Sequence, residues 1–371
     1  MKYTFRELTI EKLVNIIDQK KVDLNPEYQR NFIWSPRDQS DLIDTILKKY
    51  PIPNFFMYED SEEAFEMVDG QQRSKTIFRF VKGLIQSSKD SGKLNFTDCD
   101  QEGILNYKLP FVIMRELDSK DSLKDFYVLI NKKGKHLNIP EVNKSEFFDT
   151  NFLKFANELL NYQNLINLDL FTEAARIRMN DRAYVEELLG YLKLGIKDKK
   201  KTVEVLFEND ITNNERIELR KRFILIIDII ERLNRKHPIK ATRYKQKNDF
   251  YTLFNFVNEN IDETEEVLEY QYRVLIILDG TDGDGKQLIR PSNEDCDALR
   301  KYADNCVTQS NSKDAREYRL SFFNAILKNS DLESNPTLSN LLDYLGEIYE
   351  PESVLIKEVG SYKLLDVSQF Q

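Results

Sequence analysis

The sequence predicts an α+β region with short strands, followed by a mainly α-helical region, with the division near residue 150. Two distributions carry that reading. Between Glu141 and Asp279 glycine occurs only at Gly190 and Gly195, whereas six of the ten prolines lie at or before Pro140. Glycine and proline punctuate turns, so the first part is turn-rich and the second has long uninterrupted elements. The apolar pattern agrees: short runs early, then residues spaced three and four apart.

Taken in order, a helix is expected from Thr9, with Ile10, Leu13, Val14 and Ile17 on one face. A short extended piece at 22–24 leads into Asn25-Pro26, where proline turns its predecessor away from helix. Ser35-Pro36-Arg37-Asp38 reads as a capping box with proline in the first turn, opening a helix that buries Leu42, Ile43, Ile46 and Leu47. Apolar segments at 54–58 and 65–68 read as paired strands, and 111–114 as a third. Beyond the division, amphipathic helices are expected around 146–160, 181–193, 215–234, 248–260, 292–308 and 314–328. This gives domains of 1–150 and 151–371.

Composition excludes several chemistries. The 371 residues carry 54 Lys+Arg against 63 Asp+Glu, a formal charge of -9, with two histidines and three cysteines. His136 and His237 lie far apart, which removes HExxH hydrolases, a His-rich HNH centre and most histidine triads within this chain. Cys99, Cys296 and Cys306 have no CxxC spacing, so neither a disulfide framework nor a zinc cage is expected. No run approaches the roughly 18 apolar residues of a membrane span, and the first residues lack a signal-peptide core. A cytoplasmic protein without a membrane partner is expected. Hydrolytic chemistry here would rest on carboxylates, amides and arginines.

The strongest local pattern is the strand at 65–68 running into Asp69-Gly70-Gln71-Gln72-Arg73-Ser74 and a helix through Ile77, Phe80 and Val81. Such a junction aims backbone N–H groups at one point, where the helix dipole favours an anion. Arg73 adds a planar charged fork for phosphate oxygens, and Asp69 a group able to hold a metal or orient water. The bland alternative is an ordinary strand–turn–helix with a surface arginine. Two further polar segments lie at element boundaries: Asn25 to Arg30, followed by Trp34, and Asn131 to Glu141 with Gly134 and His136. A site assembled from loops on a scaffold has this distribution.

Together the three segments resemble the ParB/sulfiredoxin-like fold, in the branch that forms the N-terminal domain of GmrSD-type modification-dependent restriction enzymes. The resemblance rests on Pro26, Tyr28-Gln29-Arg30, Trp34, Asp69-Gly70-Gln71-Gln72-Arg73, and Asn131, Gly134 and Leu137. Arg178-Met-Asn-Asp181 is similar to a helical Arg-x-x-Asp element of this branch, so the likeness covers roughly the first 190 residues. It implies nucleoside triphosphate binding and hydrolysis at the turn, with Mg2+ or Mn2+. Asp69, Gln72 and Arg73 would be catalytic, with Asp69 as the metal ligand. Gln29, Arg30, Gly70, Gln71, Ser74 and Asn131 would bind the nucleotide. It also implies the sensor half of a modification-dependent, type IV-like restriction or anti-phage system. Such a chain would act on DNA with a separate HNH-type nuclease subunit, since two histidines cannot build that centre here. The alternatives are a non-catalytic ParB-like clamp switched by nucleotide, or a DNA-nicking nuclease using the same pocket. Homo-oligomerisation stays open.

Two patterns in the second part need weighing. Gly280 to Gln287 has P-loop spacing after the apolar run 274–278, but Gln287 stands where Ser or Thr should ligate magnesium. Asp282 and Asp284 would also oppose a triphosphate, so a loop between helices is expected instead. Between Arg216 and Lys247 there are eleven Lys/Arg and three Asp/Glu. Arg235, Lys236, Lys240 and Arg243, aided by Tyr244, would form a phosphate-tracking DNA surface; the alternative is a buried helix with solvated basic ends.

Overall fold

The computed structural model describes the chain except for residues 30–31, 61–63, 118–122, 132–137, 281–286, 331–333, 350–353 and 371. The chain divides into two compact units: 1–148 with 173–180, and 149–172 with 181–371. A single division near 150 misses the return of 173–180 to the first unit.

The first unit is α+β. Its elements are β1 (Lys2–Thr9), α1 (Ile10–Asp18), β2 (Val22–Asp23), α2 (Pro36–Leu47), β3 (Phe55–Glu59), β4 (Phe65–Asp69), α3 (Gln71–Val81), α4 (Gln101–Leu105), β5 (Lys108–Arg115), α5 (Leu123–Asn131) and α6 (Ile139–Phe147). The strands form one mixed sheet in the order β1-β5-β3-β4-β2. β1 pairs with β5 antiparallel, β3 with β5 parallel, β3 with β4 antiparallel, and β2 with β4 parallel. Both sheet faces are covered. Met67, Phe111 and Ile113 pack with Leu13 of α1, Ile43 of α2 and Phe80 of α3, while Val68 and Met114 join Tyr28 and Tyr127 on the other face. This is period-two alternation put to use: neighbours on one strand belong to opposite cores.

Local signals set the helix starts. Thr9 caps α1 by accepting from Lys12 N–H, and Ser35 and Asp38 form the full capping box expected for α2. Asn138 and Glu141 form another at α6. There the Glu141 carboxylate also meets Arg178 at 3.2 Å, and Asn138 Nδ2 donates to the Arg178 carbonyl at 3.0 Å. Arg178 thus sits in the turn between helices Glu173–Ile177 and Asn180–Leu194, outside both, where the sequence suggested a helical element.

The second unit is helical. It comprises Asn151–Leu159, Gln163–Asn167, Asn180–Leu194, Lys199–Asn209, Asn213–Lys236, Lys247–Glu259, Glu265–Asp279, Asp297–Val307, Lys313–Leu327 and Pro336–Ile348. A small hairpin pairs Ile356–Val359 with Tyr362–Leu365. The run 274–278 lies inside the helix Glu265–Asp279, which ends at Gly280 with φ +79°, so no strand leads into the P-loop-like stretch. Most of that stretch lies outside the described residues. Among the described residues no helix is long and apolar enough to cross a membrane.

Buried ion pairs run through this helical core. Arg182 and Glu186 meet at 2.8 Å with side chains 2% and 1% exposed, and Arg316 bonds to buried Glu187. Burial pushes the Glu186 carboxyl upward against the pull of Arg182. Breaking such a pair strands a charge, whereas removing both partners does not. Arg182→Met is therefore expected to lower unfolding free energy by about 3–5 kcal/mol, and adding Glu186→Leu to recover most of it. Urea unfolding followed by far-ultraviolet dichroism measures both.

Candidate nucleotide site at the β4–α3 turn

The turn is built on Gly70. Its φ of +105° lies in the left-handed region, and any Cβ there would collide with the Phe55 ring. Gly70 caps α3, and the first full backbone bond of the helix runs from Ser74 N–H to the Gly70 carbonyl at 2.8 Å. The amides ahead of Ser74 have no intrahelical acceptor and point outward from the helix start. Favourable helix spacing continues the element through Ile77 and Phe80, both buried.

Each polar side chain of the turn reaches a different segment. Gln71 Nε2 donates to the Leu24 carbonyl at 2.5 Å. Gln72 Oε1 accepts from the backbone N–H groups of Ile33 at 2.9 Å and Trp34 at 3.2 Å. Arg73 donates to the carbonyls of Pro53 and of Asn54, the latter at 3.0 Å, and to Asp69 Oδ2 at 2.9 Å. Its guanidinium carbon also lies 4.5 Å from the Phe55 ring centroid. From the other direction, buried Gln29 donates to the Met67 and Val68 carbonyls, the second at 3.1 Å.

These groups line a cavity of about 90 Å3, with Trp34 and Tyr127 among its walls beside Gln29 and the segment from Val68 to Arg73. Arg73 is 11% exposed and Asp69 38%, so the carboxylate is the more open member of the pair. Burial pulls the arginine below its ordinary value and the Asp69 charge opposes this; the guanidinium stays charged at neutral pH. Beside the cavity, Tyr28 donates to Glu66, and burial raises both groups above their ordinary values.

Several expected site residues therefore meet here: Gln29, Asp69, Gly70, Gln71, Gln72 and Arg73. Ser74 does not. It is fully buried, with its Oγ 4.0 Å from the Met67 sulfur, so it belongs to the core beneath the turn. Gln72, expected to be catalytic, has its carboxamide oxygen committed to the Ile33 and Trp34 N–H groups, where it holds the approach to α2. Arg30, Gly134, His136 and Leu137 lie outside the described residues, as does the Asn131 side chain. Trp34 is half-buried and packs against the core while facing the cavity. Tyr127 was missed; its signal was its place one helical turn before Asn131.

As for a metal, no group of three or more His, Cys, Asp or Glu side chains gathers among the described residues. Asp69 alone offers one carboxylate. That suits an ion carried by phosphates and waters, which needs one or two protein carboxylates, and not a resident metal in an all-protein cage.

The basic window of the second unit is placed differently from expectation. Arg243 donates to Asp249 at 2.9 Å and to the Ile289 carbonyl at 2.8 Å, and is 12% exposed. Tyr244 is fully buried, with its hydroxyl on the Leu275 carbonyl at 3.1 Å. Both are core residues, which corrects their assignment to a DNA face. Arg235 pairs with Glu231 and Lys236 with Glu265 and Glu269, while Lys240 is exposed. Carboxylates thus offset much of the charge that the sequence shows there.

Residues 10–148 match the family model of the GmrSD restriction endonuclease, N-terminal domain. Over these residues the first unit is similar to that N-terminal domain. The match spans α1 to α6 and includes every residue of the cavity wall. No curated protein and no solved structure matches the chain.

Gly70→Ala is expected to destabilise the GmrSD-type domain by about 2–4 kcal/mol, through left-handed strain and overpacking against Phe55. Thermal and urea unfolding of the purified variant would show the loss; wild-type stability would mean that the turn relaxes freely.

Proposed function

We propose that the β4–α3 turn binds a nucleoside triphosphate and hydrolyses it. The chain would serve as the sensor half of a modification-dependent restriction system, acting on DNA with a separate HNH-type nuclease. The observation that carries this reading is one cavity, inside the GmrSD-type domain, where Asp69, Arg73 and a helix N-terminus converge. Phosphate oxygens would accept from the first-turn amides of α3, where the dipole favours negative charge. Arg73 is held by two carbonyls and Asp69, so its fork is already oriented before an anion arrives and little order is lost on binding. Asp69, the more exposed partner, would accept a proton from, or orient, the attacking water. Mg2+ or Mn2+ arriving with the nucleotide would neutralise phosphate charge, with Asp69 as its protein ligand.

A second reading is favoured by the commitment of Gln72. Gln72 has its carboxamide oxygen on the backbone, and among the described residues Asp69 is the single carboxylate on the cavity wall. A site with so few groups suits a nucleotide switch with slow turnover, as in a non-catalytic clamp.

The decisive experiment measures binding and phosphate release for ATP, GTP, CTP and UTP, with and without DNA and Mg2+. Asp69→Asn is expected to lower release by at least about tenfold while nucleotide still binds, the loss of one group acting on the reacting water. Arg73→Lys is expected to weaken binding by about 1.5–3 kcal/mol, the worth of a hydrogen bond to a charged group. Saturable binding without release in the wild type would establish the switch. No binding of any of the four would overturn both readings.

A further inference from the structure

A second concavity of about 350 Å3 lies in the first unit, between the start of α2, the end of α3 and the loop at 85–93. Its wall carries Arg79, Lys89 and Lys93 together with Gln39, Ser40 and Gln86, and among the described residues no carboxylate. Among the described residues none of the three cations is paired with a carboxylate. In a chain of net charge -9, such a cluster is a local reversal of sign.

The cations are held in place. Arg79 Nη1 donates to Gln39 Oε1 at 3.1 Å, and the guanidinium lies 5.8 Å from the Phe32 ring centroid. The loop is tied across its neck: Ser87 N–H donates to the Leu94 carbonyl at 3.0 Å, and Leu94 N–H to Ser87 Oγ at 2.8 Å. Ser88 N–H donates to Asp44 Oδ1 of α2 at 3.1 Å, and Lys93 N–H to the Ser88 carbonyl at 2.9 Å. Lys89 and Lys93 therefore project from a loop anchored to α2. Gln39 Nε2 continues to the Trp34 carbonyl at 3.1 Å, and Trp34 N–H donates to Gln72. Gln72 and Arg79 stand seven residues apart on α3, two turns along one face.

We propose that this cleft binds the phosphodiester backbone of a nucleic-acid strand. Two exposed lysines and a half-buried arginine around an open cleft suit successive phosphates, each neutralised in turn. They do not form the closed pocket that would wrap one small anion. The proposal rests on the reading of the chain as one that acts on DNA, and it moves the contact from the second unit to the first.

The test uses the full chain and a labelled random-sequence duplex, followed by fluorescence anisotropy over a salt series without nucleotide. Lys89→Glu/Lys93→Glu should weaken binding by at least about tenfold, and Lys89→Ala/Lys93→Ala should lower the slope of log K against log salt by about 1.8, or about 0.9 per lost phosphate contact. Both lysines are exposed, so the fold should tolerate either change. Unchanged affinity and slope would overturn the proposal. So would a loss confined to Arg235→Glu/Lys236→Glu, which would place DNA on the second unit. Calorimetry of the cleft variants with nucleotide supplies the other arm: lost nucleotide binding with DNA binding intact would mean that the cleft holds nucleotide phosphates. Because DNA binding is read without nucleotide, an inert β4–α3 cavity would leave the cleft result standing.

Discussion

Gly70 can hold a φ of +105° against the Phe55 ring only because it lacks a side chain, and the polar architecture of the first unit hangs from that turn. The reversal brings Gln71, Gln72 and Arg73 out in three directions within the first turn of α3. One fastens the segment after β2, one the approach to α2, and one the approach to β3. Gln29 closes the ring by holding β4 itself. Sequence-distant loops are thereby fixed by side chains from a single short motif. The same residues, with Asp69, line the cavity.

Much of this was legible in the sequence, for identifiable reasons. The Ser35–Asp38 box, the paired strands at β3 and β4, and the Asp-Gly turn all depend on neighbours in the chain, and local rules read such signals well. β1 was missed because its residues alternate no clear apolar face: it is an edge strand, exposed over most of its length. The terminal hairpin escaped for a similar reason, with strands of four residues mixing Lys and Glu among the apolar positions. The helix Glu265–Asp279 was not among the expected helices, although its apolar run 274–278 was seen ahead of a loop between helices. At the turn, the sequence brought Gln29 and the Asp69–Arg73 segment together but could not say which atoms were already engaged. Ser74 follows the motif in order, yet helix geometry turns it inward.

Charge counts misled for a physical reason as well. A window rich in Lys and Arg looks like a polyanion surface until the acids of other helices are in place. Glu158 takes Arg216 and Arg220, Glu265 takes Arg232, and Asp249 takes Arg243 in the interior. Glu158 and Glu265 are distant in sequence and Asp249 lies just past the window, so the count between Arg216 and Lys247 includes none of them. The cluster at Arg79, Lys89 and Lys93 shows the converse: modest in sequence, it keeps its sign because among the described residues no acid lines its cleft.

The seven-residue spacing on α3 has a consequence for how two bound anions would treat each other. Gln72 and Arg79 lie about 10 Å apart along the helix axis. That is close to the Debye length at moderate ionic strength, so charges held at the two ends are not hidden from one another by salt. A nucleotide at one end and a strand at the other would repel, and each would loosen the other's hold. Departure of the terminal phosphate would then relieve the strain between them. The rigid rod that shapes the site would also act as an electrostatic ruler, setting how strongly one occupant senses the other.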